Sequence, residues 1–156
     1  MPSPLSPPAP PATHVVVGAG PVGRAVVAAL TTRGIEPLVV TRTGVGVPGA
    51  TRRQADLGDP AQAAASVAGA AVVFQCAQPE YHRWPHEFPA LQAAIVDAAA
   101  AAGALLVVAE NLYGYGPHRG PLTEDLPLPA TTRRGAVRAG MWRDLEAAHR
   151  AGRLWV

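Results

Sequence analysis

The run His14-Val15-Val16-Val17 passes directly into Gly18-Ala19-Gly20-Pro21-Val22-Gly23, and that turn passes directly into Arg24-Ala25-Val26-Val27-Ala28-Ala29-Leu30. A β-branched strand, a turn with three spaced glycines and an Ala-rich helix thus follow one another with nothing between them, an order few folds accept. It predicts the first strand-to-helix crossover of a parallel sheet. There Gly18 permits the tight turn, Gly20 lets a pyrophosphate approach the backbone, and Gly23 lets the helix lie close on the strand. Pro21 stands where a missing N–H costs nothing. The helix behind Pro21 and Val22 offers free N–H groups and the positive end of its dipole to an anion. Dinucleotide binding is the expectation, and a glycine-rich turn in an α/β core without a ligand is the alternative.

Downstream of the turn, short β-branched runs alternate with longer Ala-rich stretches, as in consecutive βαβ units. Strands are predicted over His14 to Val17, Pro37 to Thr41, Thr51 to Ala55, Ala71 to Cys76 and Ala104 to Ala109. Their apolar character suits a sheet covered on both faces. Helices are predicted over Pro21 to Arg33, Pro60 to Val67, Phe88 to Ala102 and Arg134 to Arg150. Leu91, Ile95, Ala98 and Ala102, then Val137, Met141, Leu145 and Ala148, recur at helical spacing and give the last two an apolar stripe each. Leu154, Trp155 and Val156 read as the start of a further strand. The fold class that follows is α/β, a doubly wound parallel sheet of the Rossmann type, over residues 13–156. Residues 1–12 hold six prolines and are expected to form an extended, disordered leader, without the basic and apolar regions of a secretory signal.

All thirteen basic residues are Arg, for the sequence has no Lys. That removes a Walker phosphate loop, Schiff-base chemistry and any Tyr/Lys catalytic pair. The formal net charge of +2 is carried by scattered Arg residues, so neither a nucleic-acid nor a membrane partner is expected. Cys76 is the only cysteine. It allows no intramolecular disulfide and fits a reducing cytoplasm.

The second strand ends in Val39-Val40-Thr41-Arg42-Thr43, where an NAD-preferring fold usually places an acid against the ribose hydroxyls. Arg42 would instead pair with a 2′-phosphate, so NADP is expected over NAD, with Arg52 or Arg53 as helpers. The alternative leaves Arg42 an ordinary solvated residue. Asp56, with Leu57 after the third strand, can accept from an adenine amino group; equally, Asp56 or Asp59 may serve to cap the helix at Pro60. Cys76 and Ala77 end the fourth strand facing the same cleft, Cys76 as a reactive thiol or, more simply, as a small apolar side chain. His82 and His86 stand four apart beside Glu87, but Pro85 between them is expected to break a helical metal-binding geometry and leave a loop.

The glycine turn, Asp56-Leu57, the strand Val72 to Ala77 and the segment Asn111-Leu112-Tyr113-Gly114-Tyr115-Gly116-Pro117, followed by Pro121-Leu122-Thr123-Glu124-Asp125, together resemble the NAD-dependent epimerase/dehydratase family, the extended short-chain dehydrogenases. The likeness runs from about Val15 to Val156. The resemblance implies a nicotinamide dinucleotide cofactor, pairing of two copies through the helices 88–102 and 134–150, and a C-terminal substrate lobe that is missing from this sequence, as in a truncated chain. It also implies a Ser or Thr four residues before the tyrosine of the Tyr-Gly pair, which falls on Ala109. The family's Tyr and Lys fall on Thr131 and Gly135 by this placement, so its catalytic set does not carry over. Glu110 is then the candidate substitute base, against a hydrogen-bonded structural carboxylate; Tyr113 is a second candidate catalytic residue, and Tyr113 and Tyr115 are candidates to line the cleft, against packing in the core. Two functions remain open: an epimerase, dehydratase or reductase working with an unconventional base, and a non-catalytic nucleotide-binding or redox-sensing module.

Overall fold

The computed structural model describes residues 13–156; the leader expected over residues 1–12 lies outside the described residues. Five strands, β1 (Thr13–Val17), β2 (Leu38–Thr41), β3 (Thr51–Gln54), β4 (Ala70–Gln75) and β5 (Leu105–Val108), form one parallel sheet in the order β3-β2-β1-β4-β5. Four α-helices cover it: α1 (Pro21–Thr31), α2 (Pro60–Val67), α3 (Trp84–Ala102) and α4 (Arg133–Arg150). This is the doubly wound parallel arrangement the sequence predicts.

The alternation of side chains along β1 sorts the core into two layers. Val16 faces Val27 and Leu30 of α1, with Val39 of β2. Val15 and Val17 point the other way, into a larger cluster that holds Val40, Val73, Leu106, Ile95 of α3 and Leu145 of α4. The sheet order reverses at β1, which has β2 on one side and β4 on the other. At that switch point the connections leave in opposite directions and open a crevice at the carboxyl ends of the strands.

Most predicted elements lie within two residues of the observed ones, with three instructive departures. β3 is exposed at all four positions, because it is the sheet edge and needs no apolar face. The third helix begins at Trp84, four residues before Phe88, and follows a short 3₁₀ turn over Tyr81–Arg83. Pro85 therefore starts the helix instead of breaking it, since the first-turn N–H groups have no partner to lose. The helix also continues through Pro89.

The strand expected at the C-terminus is present as a single parallel bridge of Leu105 to Trp155, in which Leu106 N–H donates to the Trp155 carbonyl at 2.9 Å. The apolar stripes of α3 and α4 are spent inside the chain: Ile95, Ala98, Met141, Leu145 and Ala148 are all buried.

Candidate functional site

The glycine turn is fastened at both flanks. Gly18 N–H donates to the Val40 carbonyl and Cys76 N–H donates to the Val17 carbonyl, each at 2.9 Å. Gly18 has φ of +102°, a conformation that disfavours any side chain. A Cβ built there would stand 2.8 Å from the Ala77 backbone nitrogen, and one at Gly23 would stand 2.1 Å from the Gly18 carbonyl oxygen. Gly20 differs: a Cβ there meets nothing within 4 Å. Gly18 and Gly23 are thus glycines for the sake of the fold, with Ala77 the wall behind Gly18, whereas nothing in the chain itself requires Gly20 to lack a side chain.

Two cavities adjoin along this edge. One, about 420 Å³, is lined by Gly18 to Val22, with Arg42, Cys76 and Gln78. The other, about 400 Å³, runs past Asp56, Leu57, Gln78, His86 and Glu87. Thr41, Arg42 and Gln78 line both, so Arg42 stands at the junction of the two. Arg52 and Arg53 line neither; Arg53 instead donates to the Ala65 carbonyl at 2.8 Å.

The two aspartates take different places. Asp59 caps α2, accepting from the N–H groups of Ala61 and Gln62, and these bonds hold its carboxyl below the ordinary carboxylate range. Asp56 accepts from Gly58 N–H at 3.0 Å and lines the second cavity. Partial burial pushes the Cys76 thiol up to about 11, so at neutral pH it is a protonated side chain and not a nucleophile.

A third cavity, about 290 Å³, opens at the end of β5 between Glu110, Asn111, Tyr115, Arg138 and Trp142. Glu110 forms an ion pair with Arg138, whose side chain is 1% exposed. Arg138 also lies against Phe88, 4.6 Å from the ring centroid, and donates to the Ala109 carbonyl at 3.3 Å. Glu110 is therefore the partner of a buried guanidinium.

Tyr113 is 45% exposed and its hydroxyl bonds to that of Tyr81; it does not pack in the core. His82 approaches Glu80 at 3.6 Å, while His86 pairs with Arg133 at 2.9 Å. The two imidazoles thus engage different groups. Among the described residues no group of three His, Cys, Asp or Glu side chains is placed to hold a metal.

Thr132 is the N-cap of α4, so Thr131 precedes the helix, and Gly135 is wedged where a Cβ would stand 2.7 Å from the Tyr113 carbonyl oxygen. The residues four apart that α4 sends toward the ends of β4 and β5 are Arg134 and Arg138, through Tyr81 and Ala109. Neither was singled out from the sequence, where two arginines in an Arg-rich chain carry no mark; locating the Thr132 cap would have exposed them.

A glycine turn on a helix N-terminus, at the switch point of a five-stranded parallel sheet, defines a Rossmann domain. No family model matches the sequence, and no curated protein matches it. Solved structures do match. A short-chain dehydrogenase/reductase superfamily protein from Agrobacterium tumefaciens with bound NAD has a TM-score of 0.78 at 26% identity, over 91% of this chain and 46% of that one. A UDP-galactose 4-epimerase has a TM-score of 0.76 at 27% identity, over 88% and 52%. A UDP-glucose 4-epimerase from Brucella ovis in complex with NAD superposes with a TM-score of 0.80 at 19% identity, over 92% and 49%, which shows the fold alone. The chain has the fold of these short-chain dehydrogenase/reductase and epimerase structures, and it spans about half the length of these proteins.

Proposed function

We propose that residues 13–156 are a unit that binds a nicotinamide dinucleotide in the two adjoining cavities. The observation that carries this reading is the open space at Gly20, between a helix N-terminus and a cavity that continues past Arg42 to Asp56. The pyrophosphate would lie on Gly20, Pro21 and Val22, where free N–H groups and the helix dipole favour an anion. The adenosine half would extend over Arg42 toward Asp56 and Leu57, with Cys76 and Ala77 flooring the turn. When bound, the dinucleotide supplies or accepts a hydride; the chain's own residues hold and orient it.

Two of the three structures named above hold NAD, whereas Arg42, at the junction of the cavities, favours the 2′-phosphate of NADP. We take the chain to lack the usual Ser/Tyr/Lys set, in keeping with Ala109 and the absence of any Lys, and to work in the cytoplasm. Among the described residues no helix is long and apolar enough to cross a membrane. The test is a thermal-shift series with NADPH, NADH and FAD. A Tm that rises with nicotinamide dinucleotide concentration supports the reading; a Tm unmoved by all three ends it.

A further inference from the structure

The third cavity, about 290 Å³ at the end of β5, shares no lining residue with the two cavities beside the glycine turn. Its walls are fastened to one another. The short 3₁₀ turn Leu112–Tyr115 packs against α4, and Ala130 N–H donates back to the Gly114 carbonyl at 3.1 Å. Leu128 lies so close to Gly114 that a Cβ there would stand 3.2 Å from the Leu128 Cδ2. Gly114 and Arg138 are buried, whereas Leu112, Glu124 and Trp142 are exposed, so the cavity has a floor and a rim. Its volume is near the lower end of small-molecule pockets, roughly 300–1,000 Å³. That is room for one ring and a short side chain.

Tyr115, Leu126, Leu128 and Trp142 make the walls apolar and aromatic, and three charged side chains reach the cavity: Glu110, Glu124 and Arg138. Arg138 is held by Glu110, so these two charges cancel and Glu124 leaves the cavity with one net negative charge. Among the described residues no cation pairs with Glu124. None of the ring or cation contacts among those residues involves Tyr115 or Trp142 either. A carboxylate and two aromatic rings thus border one apolar space, and the chain itself engages none of their charge or ring faces. A cation is attracted by a ring face as well as by a carboxylate, whereas an anion is repelled by both.

We propose that this cavity binds a small organic ammonium ion with an apolar body, of the arylalkylamine class. The body lies against Leu126 and Leu128, and the ammonium stays at the rim between Glu124 and the ring of Trp142. This site is separate from the dinucleotide reading and does not depend on it, and no bond is made or broken there.

The test is a calorimetric titration of the full chain at neutral pH with 2-phenylethylammonium, beside 2-phenylethanol and 3-phenylpropanoate. The three probes share the ring and the two-carbon spacer and differ in charge. Saturable binding of the ammonium is expected, ~5-fold or more tighter than that of the alcohol, with the carboxylate weakest. Glu124→Gln is expected to bring the ammonium down to the affinity of the alcohol, and Trp142→Leu to weaken it ~5-fold. Both side chains are exposed, so the Tm of each variant should match the parent and separate lost binding from lost fold. Absence of saturable ammonium binding overturns the proposal, as does equal affinity for the three probes. Binding that neither variant alters also overturns it, since the probe then sits elsewhere, as on the exposed Trp155.

Discussion

Arg138, in the second turn of α4, places its buried guanidinium against the carboxylate of Glu110 at the end of β5. The pair is lopsided. Glu110 keeps 28% of its side chain exposed, whereas Arg138 keeps 1% and its Nε has no hydrogen-bond partner.

That asymmetry predicts which partner is dearer to lose. Glu110→Ala leaves a buried cation whose remaining hydrogen-bond partners are the Ala109 carbonyl and the Met141 sulfur, and should cost about 3 kcal/mol in urea unfolding. Arg138→Met leaves a carboxylate that water can reach and an apolar side chain among apolar neighbours, and should cost less. A larger loss for Arg138→Met than for Glu110→Ala contradicts this account of the pair.

The three glycines of the turn should separate into two kinds. Gly23→Ala forces a methyl into the Gly18 carbonyl and is expected to destabilise the chain by about 2 kcal/mol. Gly20→Val meets open space in the unliganded chain, so its Tm should stay near the parent value while its affinity for NADPH falls at least ~10-fold. Calorimetry and a binding titration on both variants decide the matter. Equal stability losses would mean that Gly20 serves the fold alone.

Arg42 should select the dinucleotide. NADPH is expected to bind more tightly than NADH, and Arg42→Asp to invert the order, by replacing a cation suited to a 2′-phosphate with an acceptor suited to a ribose hydroxyl. Unaltered discrimination in the variant removes Arg42 from the site.

For Cys76 the prediction concerns alkali. Its thiol titrates near 11 in the folded chain against an ordinary value of 9.0, so between these values the unfolded chain has lost a proton that the folded chain keeps. Stability conferred by the neutral thiol is therefore present below pH 9 and declines as pH rises toward 11. Cys76→Ala should flatten this part of the stability profile. Iodoacetamide should label the native thiol slowly at pH 8 and the urea-unfolded thiol quickly; equal rates would show that the thiol is not shielded.

Self-association through the helices 88–102 and 134–150 must use their outer faces, because the inner stripes are already buried. A shallow groove there is lined by Pro89, Ala93, Asp97, Asp144 and Ala147, with the Gln92 Oε1 left without a partner. Light scattering should find a dimer at tens of micromolar, a range set by weak contacts, and Ala147→Arg should return it to monomer. A monomer in the parent chain under those conditions removes this face as an interface.

The alternation of strands and helices was legible because proline punctuates it: Pro21 and Pro60 mark helix starts that need no tertiary information. The start of α3 was not, since Pro85 reads as a breaker until the position of the first turn is known. Of the site, the turn and Arg42 could be found from local spacing. The Tyr81 and Tyr113 contact spans 32 positions of chain, and only the parallel pairing of β4 with β5 brings it about. Arg138 was hidden for a related reason: nothing in its neighbours along the helix announces a buried charge.

Trp84 sits at the root of that tyrosine pair, 3% exposed, whereas Trp142 and Trp155 are 41% and 75% exposed. The three indoles should therefore emit differently. Acrylamide ought to quench Trp142 and Trp155 first and leave the shorter-wavelength light of Trp84, whose Nε1 donates to the Pro79 carbonyl at 3.2 Å. Because Pro79 also borders the second cavity, the light that survives the quencher watches the wall of the cleft itself, and a ligand that moves this wall would announce itself without a label.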